Sequence, residues 1–274
     1  FWLKPFSTRS GIVESPPSIE SAKRANLRTG VRTMEETMPL NGGSNVWLKN
    51  ASTEVRRGFV RKVYGILSVQ LLITTAIAAP LQTVSRQWMQ RNQWLMILSV
   101  IMTFVTICAM ACCSDMFRRF PTNYILLFAF TCCEGVMVGF VSASYTWQSV
   151  VLAAGITVLI FFALTIYAFF TQSDFTDMGP YMFAAIMTFC MFGFVLMILG
   201  FCGIHIRWMI ILYDVIGVLI FSMYIIFDTQ MILGEWGGHK NQFSIDDYCF
   251  AALNLYLDII QLFLHLLRLL GERK

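Results

Sequence analysis

Seven runs of about 20 predominantly apolar residues leave this chain one environment in which to fold. A helix crosses a hydrocarbon core of about 30 Å with roughly 20 such residues. The runs fall at about 59–81, 93–114, 122–143, 147–171, 179–202, 205–233 and 246–269. One stretch, VLAAGITVLIFFALTIYAFF, holds no charged residue at all. Only 13% of the 274 residues are charged, against about 25% in a soluble domain. Where no water reaches the backbone, only helices and closed barrels span. The alternating ten-residue segments of barrel strands are absent. The sequence predicts an all-α membrane protein, a bundle of seven transmembrane helices, with loops too short for a second folded domain.

The first 52 residues differ. Pro16-Pro17, Gly42-Gly43, scattered Ser and Thr and many charges follow no sustained period, and such a composition buries too little apolar area to order itself. Residues 1–52 are therefore expected to be a disordered cytosolic tail, and 53–274 the transmembrane domain. The chain opens on Phe, so the natural start is expected upstream, and the tail has no signal-peptide core. Eleven of the 20 Lys and Arg lie in the tail or just inside the first span. The cluster EVRRGFVRK abuts that span, where the positive-inside bias is strongest, and places the N-terminus in the cytosol. A net charge of +4 gathered beside a bilayer implies attraction to anionic lipid, not to nucleic acid. Seven full spans put the C-terminal GERK outside or in a lumen. A re-entrant last segment, interrupted by Asn254, Asp258, Gln261, His265 and Arg268, returns it to the cytosol.

Five ionisable side chains fall at membrane depth: Glu134, Asp214, Asp228, Asp258 and His265. A charged residue at the bilayer centre costs about 2.5–3.5 kcal/mol on insertion scales and by default marks an ion path or a proton relay. The alternative is a polar group satisfied by a neighbouring helix. In the last run, Asn254, Asp258, Gln261, His265 and Arg268 follow one another at spacings of four, three, four and three, a single helical stripe that must face protein or water. Asp214 and Asp228 lie about 20 Å apart on one face of the sixth run, and Asp258 enters at a depth that could match Asp228, depending on where the 234–249 loop lets each helix end. Two carboxylates in a dry site do not both ionise cheaply. Such a pair shares a proton at lower pH and gains at higher pH a charge that a hard cation can neutralise. Arg118 and Arg119, in MFRRFPTNY, fall on the same side and could clamp an ionised Asp228; as positive-inside anchors they need no such role. Of the eight Cys, the pairs Cys112-Cys113 and Cys132-Cys133 have no nearby His and fit no zinc spacing, so they read as small packing residues.

Four stretches, EVRRGFVRKVYGILSVQLL, NYILLFAFTCCEG, IGVLIFSMYIIFDTQMILG and DDYCFAALNLYLDIIQLFLHLLRLLG, resemble the transmembrane Bax inhibitor motif family, and within it the Lifeguard branch. The resemblance runs from about residue 54 to the C-terminus. It implies a seven-helix fold, a pH-sensitive Ca²⁺ leak across a membrane, and roles in Ca²⁺ homeostasis and suppression of cell death. It also implies that the family's paired aspartates are Asp228 and Asp258, with a latching base at Arg118 or Arg119. Asp214 lies outside that pattern.

The expected function is a pH-sensitive Ca²⁺ leak gated by Asp228 and Asp258, with Asn254, Gln261, His265, Glu134 and Asp214 as candidates to line the path. The expected partners are the lipid bilayer, Ca²⁺ and H⁺, and membrane proteins of cell death or Ca²⁺ release. Endoplasmic reticulum, Golgi and plasma membrane stay equally open. A non-conducting regulator is the main alternative. An intramembrane aspartyl protease is disfavoured because LNLYLD lacks the glycine of a GxGD motif. No phosphate-cradling loop, nucleophile elbow or metalloprotease helix appears, so neither an enzyme nor a bound cofactor is expected.

Overall fold

The structure, a computed structural model, describes residues 43–112, 121–204 and 206–274. Of the expected disordered tail, 1–42 lie outside the described residues and 43–52 are helical. The chain divides into two units, and the bundle described below is the one that runs Thr53–Lys274. Its apolar runs become helices α1 (Gly43–Leu81), α3 (Gln93–Cys112), α4 (Thr122–Ser142), α5 (Trp147–Phe170), α6 (Gly179–Phe201), α7 (Arg207–Leu233) and α8 (Tyr248–Leu270), with a short α2 (Arg86–Arg91) between the first two. Six are long and apolar enough to cross a membrane, and α3, with 20 residues, makes the seventh. The last segment is one unbroken helix of 23 residues. A re-entrant hairpin is therefore excluded: its polar residues face neighbouring helices and force no break.

Local chemistry sets the helix ends. Ser85 caps α2, its Oγ accepting from the Trp88 amide. Asp174 accepts from the Thr176 amide in the turn before α6, and Pro180 opens α6 itself, where a missing N–H costs nothing. Gly234 ends α7 at φ 54°, a left-handed conformation that favours glycine.

Helix α8 is the centre of the bundle. Of its most apolar stretch 83% is buried, against 11–50% in the other five long spans. Leu253, Leu255, Tyr256, Leu262 and Leu267 are almost fully buried, and the helix packs on α7, α5 and α4. The outer helices turn large side chains away from the protein: Leu159 on α5 is 71% exposed and Phe201 on α6 is 85% exposed, the face a bilayer would cover. Buried polar side chains tie the layers together. Gln70 Nε2 donates to Thr131 Oγ1 at 3.1 Å, the Thr74 and Tyr256 hydroxyls share a 2.7 Å bond, and Tyr224 OH donates to the Met182 carbonyl at 2.8 Å. At the chain's end the Lys274 and Thr146 amides bond to the Ser144 and Glu272 carbonyls, fixing the C-terminal residues to the α4–α5 turn.

The closure of α7 comes from α1. Arg56, buried, donates through Nη2 to Met231 O and through Nη1 to Phe243 O, both at 2.7 Å, and through Nε to Leu233 O at 3.3 Å. One guanidinium thus satisfies carbonyls at the negative end of the α7 dipole. Arg56→Ala removes the guanidinium from all three carbonyls, although Met231 O keeps the Phe243 amide, and is expected to destabilise the bundle by about 2–3 kcal/mol. Thermal unfolding in detergent measures this, and Arg56→Lys, lacking the planar fork, should recover only part of the loss.

Candidate functional site

Polar side chains collect at two levels of the α7–α8 pair. Near the end of α7, Asp228, Thr229 and Gln230 are fully buried. Gln230 Oε1 accepts from the Phe175 amide at 2.8 Å and its Nε2 donates to Ser173 O at 2.9 Å, which pins the 171–178 connection to α7. Asp258 is buried on the facing helix. Gly217 lies against the His265 ring. Carrying that antiparallel register along the pair brings Tyr224 level with Asp258, and Asp228 level with the buried Asn254. Tyr224 lies within electrostatic reach of both carboxylates. Gln261 is half-buried on the same stripe. Arg118 and Arg119 lie outside the described residues.

At the opposite level Asp214, a candidate lining residue that lies outside the family's aspartate pattern, joins the stripe. Its Oδ1 lies 2.8 Å from His265 Nδ1 and accepts from Arg268 Nε at 2.8 Å. Asp214 and His265 are almost fully buried, whereas the Arg268 side chain is 34% exposed. Phe189 stacks on Tyr213 with ring centroids 4.2 Å apart, and Phe189, Tyr213 and Phe221 surround the His265 ring at 5.4–5.6 Å. Glycines make the space. A Cβ on Gly217 would lie 2.6 Å from His265 Nδ1, and one on Gly193 would lie 2.6 Å from the Tyr213 oxygen.

Glu134 stands apart from both levels. It is buried on α4 within electrostatic reach of Tyr256, and its Oε2 makes no hydrogen bond among the described residues. Among the described residues no three His, Cys, Asp or Glu gather into a metal-holding group, and Cys132, Cys133, Cys190 and Cys249 are free thiols.

Outside the spans, Asp174 sits 3.5 Å from His239 Nδ1 and accepts from the Lys240 amide and from Thr176. Burial pushes its carboxyl up, but these donors and the His239 charge outweigh burial and hold it below the usual carboxylate range. A depressed acid adds stability above its unfolded value, about 3.9, and loses it only as pH falls through the lower folded value. Asp174 thus stays ionised near neutrality and supplies no response there. Lys240, fully exposed, is held above its ordinary value by its hydrogen bond to Asp177.

The sequence reading missed Arg56 and Gln230, whose partners are backbone groups, and Tyr224, which looks like any buried aromatic. Arg268 was placed on the stripe without a partner. Gly217→Ala should drive the His265 ring off Asp214 and cost about 1–3 kcal/mol in thermal unfolding, as overpacking does. Gly155→Ala, where a Cβ meets nothing within 4 Å, should be neutral or stabilise by about 0.5–1 kcal/mol.

The profile of the family described as "Inhibitor of apoptosis-promoting Bax1" matches residues 56–274, the whole bundle from Arg56 onward. Human protein lifeguard 3 is 37% identical over 80% of this chain and 70% of its own length. Mouse protein lifeguard 3 is 35% identical over 80% and 71%. Protein LIFEGUARD 2 of Arabidopsis thaliana is 30% identical over 81% and 91%. With a helical membrane bundle and matches of this extent, the chain belongs to the Bax inhibitor family, on its Lifeguard branch.

Proposed function

We propose that this protein is a pH-sensitive Ca²⁺ leak pathway, gated by Asp228 and Asp258, that contributes to Ca²⁺ homeostasis and to suppression of cell death. The observation that carries the reading is the burial of two carboxylates on facing membrane helices, with Tyr224 within electrostatic reach of both. Charge in such a place is retained only for a purpose or a partner. A proton shared through this level neutralises one acid; its release leaves a second negative charge that attracts a divalent cation. A few oxygens fall short of the six to eight that a tight Ca²⁺ site supplies, and weak binding suits conduction, where an ion must also leave. Arg118 or Arg119 is the proposed latch, competing with the ion for an ionised Asp228. Asn254, level with Asp228, would offer a carbonyl oxygen, and Gln261 continues the same face. Membership of a family described as inhibiting apoptosis-promoting Bax1 supports the cell-death role.

Purified protein in liposomes loaded with a Ca²⁺ indicator, assayed from pH 6 to 8, tests the proposal. Wild type should leak at a rate that varies with pH, and Asp228→Asn combined with Asp258→Asn should abolish that variation. If neither protein conducts at any pH, the leak reading fails and the protein acts as a non-conducting regulator through membrane partners.

A further inference from the structure

Asp214, His265 and Arg268 make three mutual contacts that cannot all be hydrogen bonds at once. His265 Nδ1 lies 2.8 Å from Asp214 Oδ1 and 2.8 Å from Arg268 Nη2, while Arg268 Nε donates to the same Asp214 oxygen. A guanidinium only donates, an ionised carboxylate only accepts, and an imidazole nitrogen does one or the other. With Nδ1 bare, His265 accepts from Arg268 and meets Asp214 lone pair to lone pair. With Nδ1 protonated, it donates to Asp214 and meets Arg268 hydrogen to hydrogen. One proton decides which partner His265 keeps.

The surroundings fit both outcomes. The faces and edges of Phe189, Tyr213 and Phe221 enclose the ring, and aromatic faces favour a cation. A pocket of about 470 Å³ opens between α6 and α7, lined by Gly193, Phe194, Met197 and Ile210, with Asp214 and Arg268 at one end. Arg268, a third exposed, has that space to move into.

We propose that Asp214, His265 and Arg268 form a proton-binding site, distinct from Asp228 and Asp258, in which a proton taken up on His265 Nδ1 displaces the Arg268 guanidinium. The proton comes from water reaching the pocket and occupies the lone pair that Arg268 had held; only hydrogen bonds break. As a second gate at the far level of the path the site rests on the leak reading, but as a proton site it stands without conduction. The groups facing His265 are Asp214 and Tyr213 of α7 and Arg268 of its own helix, while Cys190 of α6 lines the pocket beside Tyr213. On α4, Glu134 and Cys132 lie beside Tyr256 instead. The one ionisable side chain of α5, Tyr167, lies at the other level against Phe175.

The chain has three His, so ¹⁵N-histidine NMR of the full chain in nanodiscs is resolvable, with His265→Gln assigning the signal. His265 is expected with Nδ1 bare at pH 8 and protonated there on acidification. Arg268→Met should raise its proton affinity about tenfold or more, the effect of removing one like charge at contact, and Asp214→Asn should lower it. An Nδ1–H tautomer at pH 8, an affinity unmoved by Arg268→Met, or an Nδ1 that stays bare on acidification while Asp214 takes the proton would each overturn the proposal. If Asp214→Asn does not fold, Arg268→Met, altering a partly exposed side chain, carries the test alone, and an unchanged His239 signal certifies its fold. In the liposome assay Arg268→Met should shift the pH profile. Absent flux with a responsive His265 defeats the leak reading alone; an unresponsive His265 with pH-dependent flux defeats only the second site.

Discussion

A polar helix in a medium without water is the constraint on which the rest of the structure depends. Helix α8 carries Asn254, Asp258, Gln261, His265 and Arg268 in 23 residues, and hydrocarbon satisfies none of them. Enclosing that helix takes polar groups from α1, α4 and α7. Thr74 meets Tyr256, Asn123 meets Tyr248 at 2.9 Å, and Asp214 meets His265 and Arg268. The outer helices bury further polar residues such as Gln70 and Thr131, while the exposed Ser68, Thr75 and Thr188 bond to carbonyls of their own helices. Their other faces are left to lipid.

Two arginines hold the α7–α8 pair, one at each level. Arg56 gathers the last carbonyls of α7 and reaches Phe243 beyond its end. Arg268 reaches back from the last turn of α8 to Asp214 near the start of α7. The first contact is to backbone and insensitive to protons. The second is to a carboxylate and an imidazole, both of which exchange protons. The same guanidinium chemistry thus gives a fixed clamp at one level and a titratable one at the other, and the difference lies wholly in the acceptors.

The spans were legible because burial in hydrocarbon writes itself into 20 consecutive side chains, and the helix ends fall within a few residues of the runs. The first span is the exception. Its helix begins at Gly43, well before the apolar run and through Arg56 and Arg57, because an arginine that snorkels or caps a neighbouring helix looks in sequence like the edge of a membrane. The stripe on α8 was legible from spacing alone. Its partners were not: Asp214 and His265 are 51 residues apart, and their meeting depends on the register of two antiparallel helices. That register is set where Gly217 admits the His265 ring, and a glycine in an apolar run announces no particular neighbour.

That register also determines how the two levels can influence each other. Neither α7 nor α8 is broken between them, so no hinge within either helix carries a signal. What connects them is side chains. Tyr224 reaches both acids, Phe221 lies one turn before it on α7, and Phe221 stacks on His265 with centroids 5.6 Å apart at 23°. The Tyr224 hydroxyl is anchored to the Met182 carbonyl of α6, which makes it the stiff end of this chain, while the imidazole, with two competing partners, is the end that has two arrangements. Coupling between distant sites requires such a two-state element in a packed path. If His265 exchanges a proton as proposed, its ring would be that element, and Phe221, stacked on it and one turn before Tyr224, is the side chain that joins the two levels in the packing.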